Sequence, residues 1–180
     1  TLAHRVAKAS DGVFSAVIMV GSTALSYEDY LLGHSNLSSH TADELKAYQD
    51  TLDKLSKMKE QTALENTETV LGHSVYYFWE LQKTNNYELI RKLRLPTYIV
   101  QGKKDPLVPE NEGWRQYNNK IGEGVKYVTY RSFPGLNHVL MSDSSTDAYG
   151  LPQYTENATL DISAGRGIGQ WILSLKSTAE

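Results

Sequence analysis

The sequence predicts an α/β fold built on parallel strands, and three observations carry that expectation. A short apolar run, Pro96-Thr97-Tyr98-Ile99-Val100, leaves a proline and enters the turn Gln101-Gly102-Lys103-Lys104, as a parallel strand buried on both faces does. A helix is expected from Pro109 and Glu110 through Ile121, with Gly122 to close it. A second strand pattern follows at once, Val125, Tyr127 and Thr129 alternating with Lys126, Val128 and Tyr130, so residues 97–130 read as one β–α–β unit.

The other elements follow in chain order. Leu2, Ala3, Val6 and Ala7 lie at helical spacing, and Asp11-Gly12 ends that helix. The chain thus opens on Thr1 partway along an amphipathic helix and reads as cut from a longer protein. Phe14 to Val20 is a continuous apolar strand, expected inside a parallel sheet, and Gly21-Ser22-Thr23 is the loop after it. The next strand comes only at Pro96, so the insertion from Ala24 to Arg94 is far longer than a loop and requires structure of its own. Its pattern is helical. Ser26 and Asp29 open a short helix through Leu32, and Thr41-Ala42-Asp43-Glu44 is a capping box. Leu45, Tyr48, Leu52 and Leu55 then recur on one face. Val75-Tyr76-Tyr77-Phe78-Trp79 is an aromatic helix, Asn85-Asn86 breaks it, and Tyr87 to Leu93 forms another. This insertion reads as a helical subdomain whose apolar stripe packs on the sheet, as a cap whose Tyr77 and Trp79 face a substrate, or as both at once. After a polar stretch from Ser142 to Glu156, a last helix carries the stripe Ile168, Trp171, Ile172 and Leu175.

Composition narrows the function classes. The 180 residues, 40% hydrophobic and 22% charged, suit one globular domain with a sizeable core. A net charge of −3, with no basic run, argues against nucleic acid or an anionic membrane as partner. The absence of cysteine excludes a disulfide framework and a thiolate metal site, and leaves open whether the protein works in the cytoplasm or outside the cell. No apolar stretch is long enough to span a bilayer, and no basic-then-apolar signal pattern stands in the chain. His34, His40 and His73 fall at spacings that match no helical ligand pair, and together with His4 they are expected to be structural or exposed. No metal or cofactor is expected.

The chemistry-bearing residues are Asp105 and His138. Both are expected on loops at the same end of adjacent parallel strands, the end at which open α/β sheets bind ligands. A carboxylate there can hold an imidazole in one tautomer and leave its other nitrogen to act as a base. Taken singly, Asp105 is also a common turn residue before Pro106, and His138 a common loop histidine after Gly135. Ser22, Thr23, Leu136 and Val139 are candidates to line a substrate pocket, by adjacency alone.

Leu95-Pro96 entering a strand, Gln101-Gly102-Lys103-Lys104-Asp105 with Val108-Pro109 behind it, and Phe133-Pro134-Gly135-Leu136-Asn137-His138 resemble the acid and histidine segments of the α/β-hydrolases. The resemblance covers nearly the whole chain as the C-terminal half of that fold. Within the superfamily it is most similar to bacterial carboxylesterases with a helical cap. It implies that Asp105 is the acid and His138 the general base of a serine triad that cleaves a small-molecule carboxylic ester through an acyl-enzyme. No Gly-x-Ser-x-Gly occurs, and Ser10 ends a helix, so the resemblance places the nucleophile upstream of Thr1. It also implies a partner: the missing N-terminal half of the same hydrolase, or a second copy of this chain. Other chemistries of the superfamily remain open, namely peptidase, acyltransferase, dehalogenase or epoxide hydrolase, as does a non-catalytic binding protein on the same scaffold.

Overall fold

The computed structural model describes residues 3–26, 41–70, 73–82, 85–142 and 159–176. The short helix expected over 26–32 and the polar stretch from Ser142 to Glu156 fall, apart from the first residue of each, on residues 27–40 and 143–158, outside the described residues. The chain divides into two units. The first comprises Thr1–Ala24 with Asn86–Glu180, the second Leu25–Asn85.

The first unit is mixed α/β. Strands β1 (Val17–Val20), β4 (Thr97–Gly102) and β5 (Val128–Phe133) form a wholly parallel sheet in the order β1-β4-β5. Every residue of β4 is buried, as a strand covered on both faces and paired on both edges requires. Alternate residues serve opposite cores. Ile99, with Val17 and Met19 of β1, packs with Ala7 of helix α1 (Ala3–Ala9), Ile90 of helix α5 (Asn86–Leu93) and Tyr117 of helix α6 (Trp114–Ile121). Tyr98 and Val100 face the other way, with Phe133, Leu136, Leu140 and Ala164 of helix α7 (Ile162–Lys176). Trp171 of α7 stacks on Tyr98 with ring centroids 5.1 Å apart. A side chain at Gly167 would meet Phe133 at 3.3 Å, so that glycine lets α7 lie close on the sheet.

Several boundaries differ from the sequence expectation. The first strand begins at Val17 rather than Phe14, and Val13 and Phe14 are exposed. Among the described residues it pairs with β4 alone, while β4 is paired on both edges. The α1 face turned inward carries His4 and Ala7, whereas Val6 is 49% exposed. α6 starts at Trp114, because Pro109 to Gly113 is wound into turns in which the Pro109 carbonyl accepts from both Glu112 and Gly113. β5 begins at Val128 and runs on to Phe133, since its register follows β4 from Thr97↔Val128 to Gly102↔Phe133. In α7 Ile172 is exposed and the inward face carries Ala164, Ile168 and Trp171. α7 starts after Asp161, whose carboxylate accepts from the Ser163 hydroxyl and caps the Ser163 N–H at 2.8 Å; the hydroxyl first and the N–H second lower its proton affinity. Helix α5, expected inside the insertion, packs against α1 through a face that buries Leu89 and Ile90.

The second unit holds helices α2 (Ala42–Lys57), α3 (Glu60–Glu65) and α4 (Val75–Gln82) and a small antiparallel pair, β2 (Thr69–Val70) with β3 (His73–Ser74). Its core is Leu52, Leu55, Ala63, Val75, Phe78 and Trp79. The Trp79 indole N–H donates to the Met58 carbonyl at 2.7 Å, which satisfies the one polar group of a buried ring. Among the described residues no helix is long and apolar enough to cross a membrane.

α1 is tied to the sheet by a buried polar contact. His4 Nε2 lies 3.0 Å from the Thr97 hydroxyl, which itself donates to the Leu95 carbonyl at 2.9 Å. The hydroxyl therefore accepts from His4, the proton sits on Nε2, and the buried Nδ1 has no partner among the described residues. Burial lowers the His4 pKa from 6.5 to about 4. The unfolded chain binds this proton first as pH falls, so the associated stability is complete above pH 6.5 and is lost on acidification toward pH 4. The loss is on the order of 3 kcal/mol at about 1.36 kcal/mol per unit. Thermal melts of the wild type and His4→Leu should therefore converge or cross as pH is lowered from 7 to 4. A melting-temperature difference constant across that range would contradict this account.

Candidate active site at the strand ends

Three strand ends meet at one place. β4 leaves the sheet at Gly102, and its chain turns through Lys103 and Lys104 to Asp105. β5 ends at Phe133 and continues to His138. The two loops lie against each other because Gly102 has no side chain: a Cβ there would stand 2.1 Å from the Leu136 carbonyl oxygen and 2.3 Å from that of Asn137. Backbone bonds fasten the approach, Lys103 N–H to Phe133 O at 3.0 Å and Lys104 N–H to Leu136 O at 2.9 Å.

Asp105 is held from two directions. Its Oδ1 accepts from the backbone N–H groups of Leu107 and Val108, both at 2.9 Å, and Oδ2 lies 2.9 Å from His138 Nδ1. An ionised carboxylate only accepts, so Nδ1 carries the proton and Nε2 presents its lone pair. The carboxylate is fully buried, whereas the His138 side chain is 27% exposed. Among the described residues Asp105 is the imidazole's only hydrogen-bond partner. The turn bonds and the histidine contact of Asp105 thus coexist, one on each oxygen.

His138 is positioned by its own loop. Asn137 is buried, and its side-chain carbonyl accepts from the Val139 N–H at 3.1 Å and the Met141 N–H at 3.0 Å. Leu140 takes a left-handed conformation at φ 61°, and its N–H donates to the Asn137 carbonyl. The third strand end supplies Gly21, at φ 55°, whose absent Cβ would fall 2.6 Å from both Cε1 and Nδ1 of His138. Gly21 is fixed in turn by its N–H on the Val100 carbonyl at 3.0 Å.

The remaining candidates are placed as follows. Ser22 is buried and its hydroxyl lies 2.7 Å from that of Tyr117, which donates to the Thr23 carbonyl at 2.7 Å. The Thr23 hydroxyl donates to the Glu112 carbonyl at 2.7 Å. Ser22 therefore joins the loop after β1 to α6, and Thr23 joins it to the turns that precede α6. Leu136 is buried in the cluster that faces α7, and Val139 is half-buried beside His138 in sequence. Tyr77 and Trp79 belong to the second unit, Trp79 in its core and Tyr77 exposed at 40%. His34 and His40 lie outside the described residues. Among the described residues no group of three histidines and carboxylates is arranged to hold a metal.

The loop between Asp105 and α6 carries one more charged group. Burial works to raise the Glu110 pKa, but the Trp114 indole N–H at 2.9 Å, Lys103 and Arg115 together hold it below the ordinary carboxylate value. A separate cleft of about 750 Å³ lies at the opposite strand ends, lined by Arg91, Arg94, Lys126 and Tyr127 among others. Neither Asp105 nor His138 reaches it.

Gly21, against His138, and Gln101, bonded to the loop after β4, adjoin the candidate site, and the sequence alone did not single them out. For Gly21 the signal was available, a glycine where an apolar strand meets its C-terminal loop. The structure gives it a testable consequence: Gly21→Ala should displace the imidazole and weaken its bond to Asp105. The ¹⁵N shifts of His138 should then move toward those of a solvated imidazole, and unchanged shifts would refute the contact. In the second unit, Trp79→Ala should lower stability by about 3–5 kcal/mol, as truncation of a packed aromatic does, while Tyr77→Ala changes it by less than about 1 kcal/mol. Equal melting-temperature losses would place both rings in the core. No protein-family model, no curated protein and no solved structure matches this chain.

Proposed function

We propose that this chain supplies the acid and the general base of a serine hydrolase that cleaves small carboxylic esters, its nucleophile lying upstream of Thr1. One observation carries the reading: a fully buried carboxylate, with one oxygen on two backbone N–H groups, turns the other to His138 Nδ1 at 2.9 Å, at the ligand-binding ends of adjacent parallel strands. That arrangement fixes the imidazole tautomer and stabilises the imidazolium that forms when Nε2 takes a proton.

In the proposed reaction Nε2 accepts the proton of the serine hydroxyl as its oxygen bonds to the ester carbonyl carbon. The imidazolium then returns that proton to the departing alkoxide as the ester C–O bond breaks. Water repeats the sequence on the acyl-enzyme, releasing the acid and restoring the serine. Asp105 stays ionised throughout. It aligns the ring and offsets its positive charge.

The test uses the protein that includes the residues preceding Thr1. A fluorophosphonate should label one serine shortly before Thr1, and His138→Ala should abolish both labelling and ester turnover. Asp105→Asn should leave the fold intact and lower turnover by roughly four orders of magnitude, the size of that change in serine-protease triads. Absence of labelling would favour an aspartate nucleophile or a non-catalytic scaffold. A near wild-type rate in Asp105→Asn would move the acid role to another residue.

A further inference from the structure

We infer that Gln101 is the positioning residue that holds Asp105 in place for His138, a role that rests on reading those two residues as acid and base. Gln101 is the fifth residue of the central strand and is 1% exposed. A primary amide in such a place is costly unless its polar atoms are satisfied. Its Nε2 donates to the Val108 carbonyl, and its Oε1 accepts from the Trp114 backbone N–H at 2.9 Å. One side chain of the sheet therefore spans the end of the Asp105 loop and the first turn of α6.

The contact on Val108 connects the amide to the chemistry. Val108 presents its carbonyl to Gln101 and its N–H to Asp105 Oδ1, so a single residue is clamped between strand and carboxylate. The sequence of bonds runs from Gln101 Nε2 to Val108, from Val108 to Asp105 Oδ1, and from Asp105 Oδ2 to His138 Nδ1. Each link is buried or half-buried, so displacement at one end is carried toward the other. Gly113 makes room for the device. A Cβ there would fall 2.1 Å from Gln101 Oε1 and drive the amide aside. No hydrophobic residue at 101 can reproduce both bonds, because both a donor and an acceptor are needed on one planar group.

The test reads His138 directly by NMR of the chain. The wild type should show the Nδ1–H tautomer and a downfield, slowly exchanging Nδ1 proton. Gln101→Met, similar in volume but without either bond, should lose that resonance and give mixed tautomers while the amides of β4 and β5 keep their dispersion. A role limited to stability would instead lower the melting temperature and leave the resonance where it was, and that result overturns the proposal. Gly113→Ala, which keeps Gln101 but displaces its amide, should lose the resonance as well. Its retention in folded Gly113→Ala overturns the proposal even if Gln101→Met fails to fold. A wild type that lacks the Nδ1 resonance removes the acid–base reading itself, and the role of Gln101 with it. A wild type that shows it beside a Gln101→Met that keeps it refutes Gln101 alone.

Discussion

The central strand β4 is the constraint on which the first unit depends. It is hydrogen-bonded along both edges and covered on both faces, so its six residues have almost no freedom of placement. That rigidity is used at both ends. At its start Thr97 receives His4 and anchors α1. At its end Gln101 and Gly102 fix two loops, one through an amide and the other through the absence of a side chain. A polar residue and a glycine both weaken a strand interior taken alone. Here they stand at the last two positions of β4, where the strand hands over to the site.

Asp105 shows how a buried charge is tolerated in such a place. A carboxylate removed from water is strongly disfavoured unless its lone pairs are met by donors. Two backbone N–H groups and one imidazole N–H supply them, and none of the three is a mobile cation. The donors come from a turn that the Asp-Pro dipeptide itself favours, so the local chemistry of the loop and the electrostatics of the site agree. Glu110, five residues on, is treated differently: partly open to solvent, it is shared among Lys103, Arg115 and the Trp114 indole, and it braces the outer side of the same loop.

The parallel sheet and the meeting of Asp105 with His138 were legible in the sequence because both rest on local signals. The apolar run after Pro96, the glycine turn and the β–α–β spacing suffice to put two loops at one end of two adjacent strands. The register of β5 was not legible. Val125 and Tyr127 alternate as well as Val128 and Tyr130 do, and only pairing with β4 decides that the strand begins at Val128. The start of helix α6 was not legible for a similar reason, since Pro109 and Glu110 are good helix starters and the bond from the Trp114 N–H to Gln101 is a tertiary fact. Val6 fits the periodicity of α1 as well as His4 fits it poorly, yet the fold buries the histidine, because Thr97 offers it an acceptor. Gln101 and Gly21 were not legible for one common reason: neither side chain is reactive, and the place of each is defined only by what it lies against.

With Oδ1 on two backbone donors and Oδ2 on the imidazole, Asp105 keeps no exposed edge to offer a ligand. Whatever chemistry the pair performs must leave it through His138, whose ring is the part that solvent reaches. The ring in turn cannot swing toward β1, because Gly21 occupies that side at a distance that excludes even a methyl group. Under the proposed function the pair is thus a fixed base with one usable nitrogen, indifferent to what supplies the proton. Ester, amide and acyl-transfer chemistry all make the same demand on such a base. The choice among them therefore lies with the group that approaches Nε2 and with the surface that binds the acyl and leaving groups.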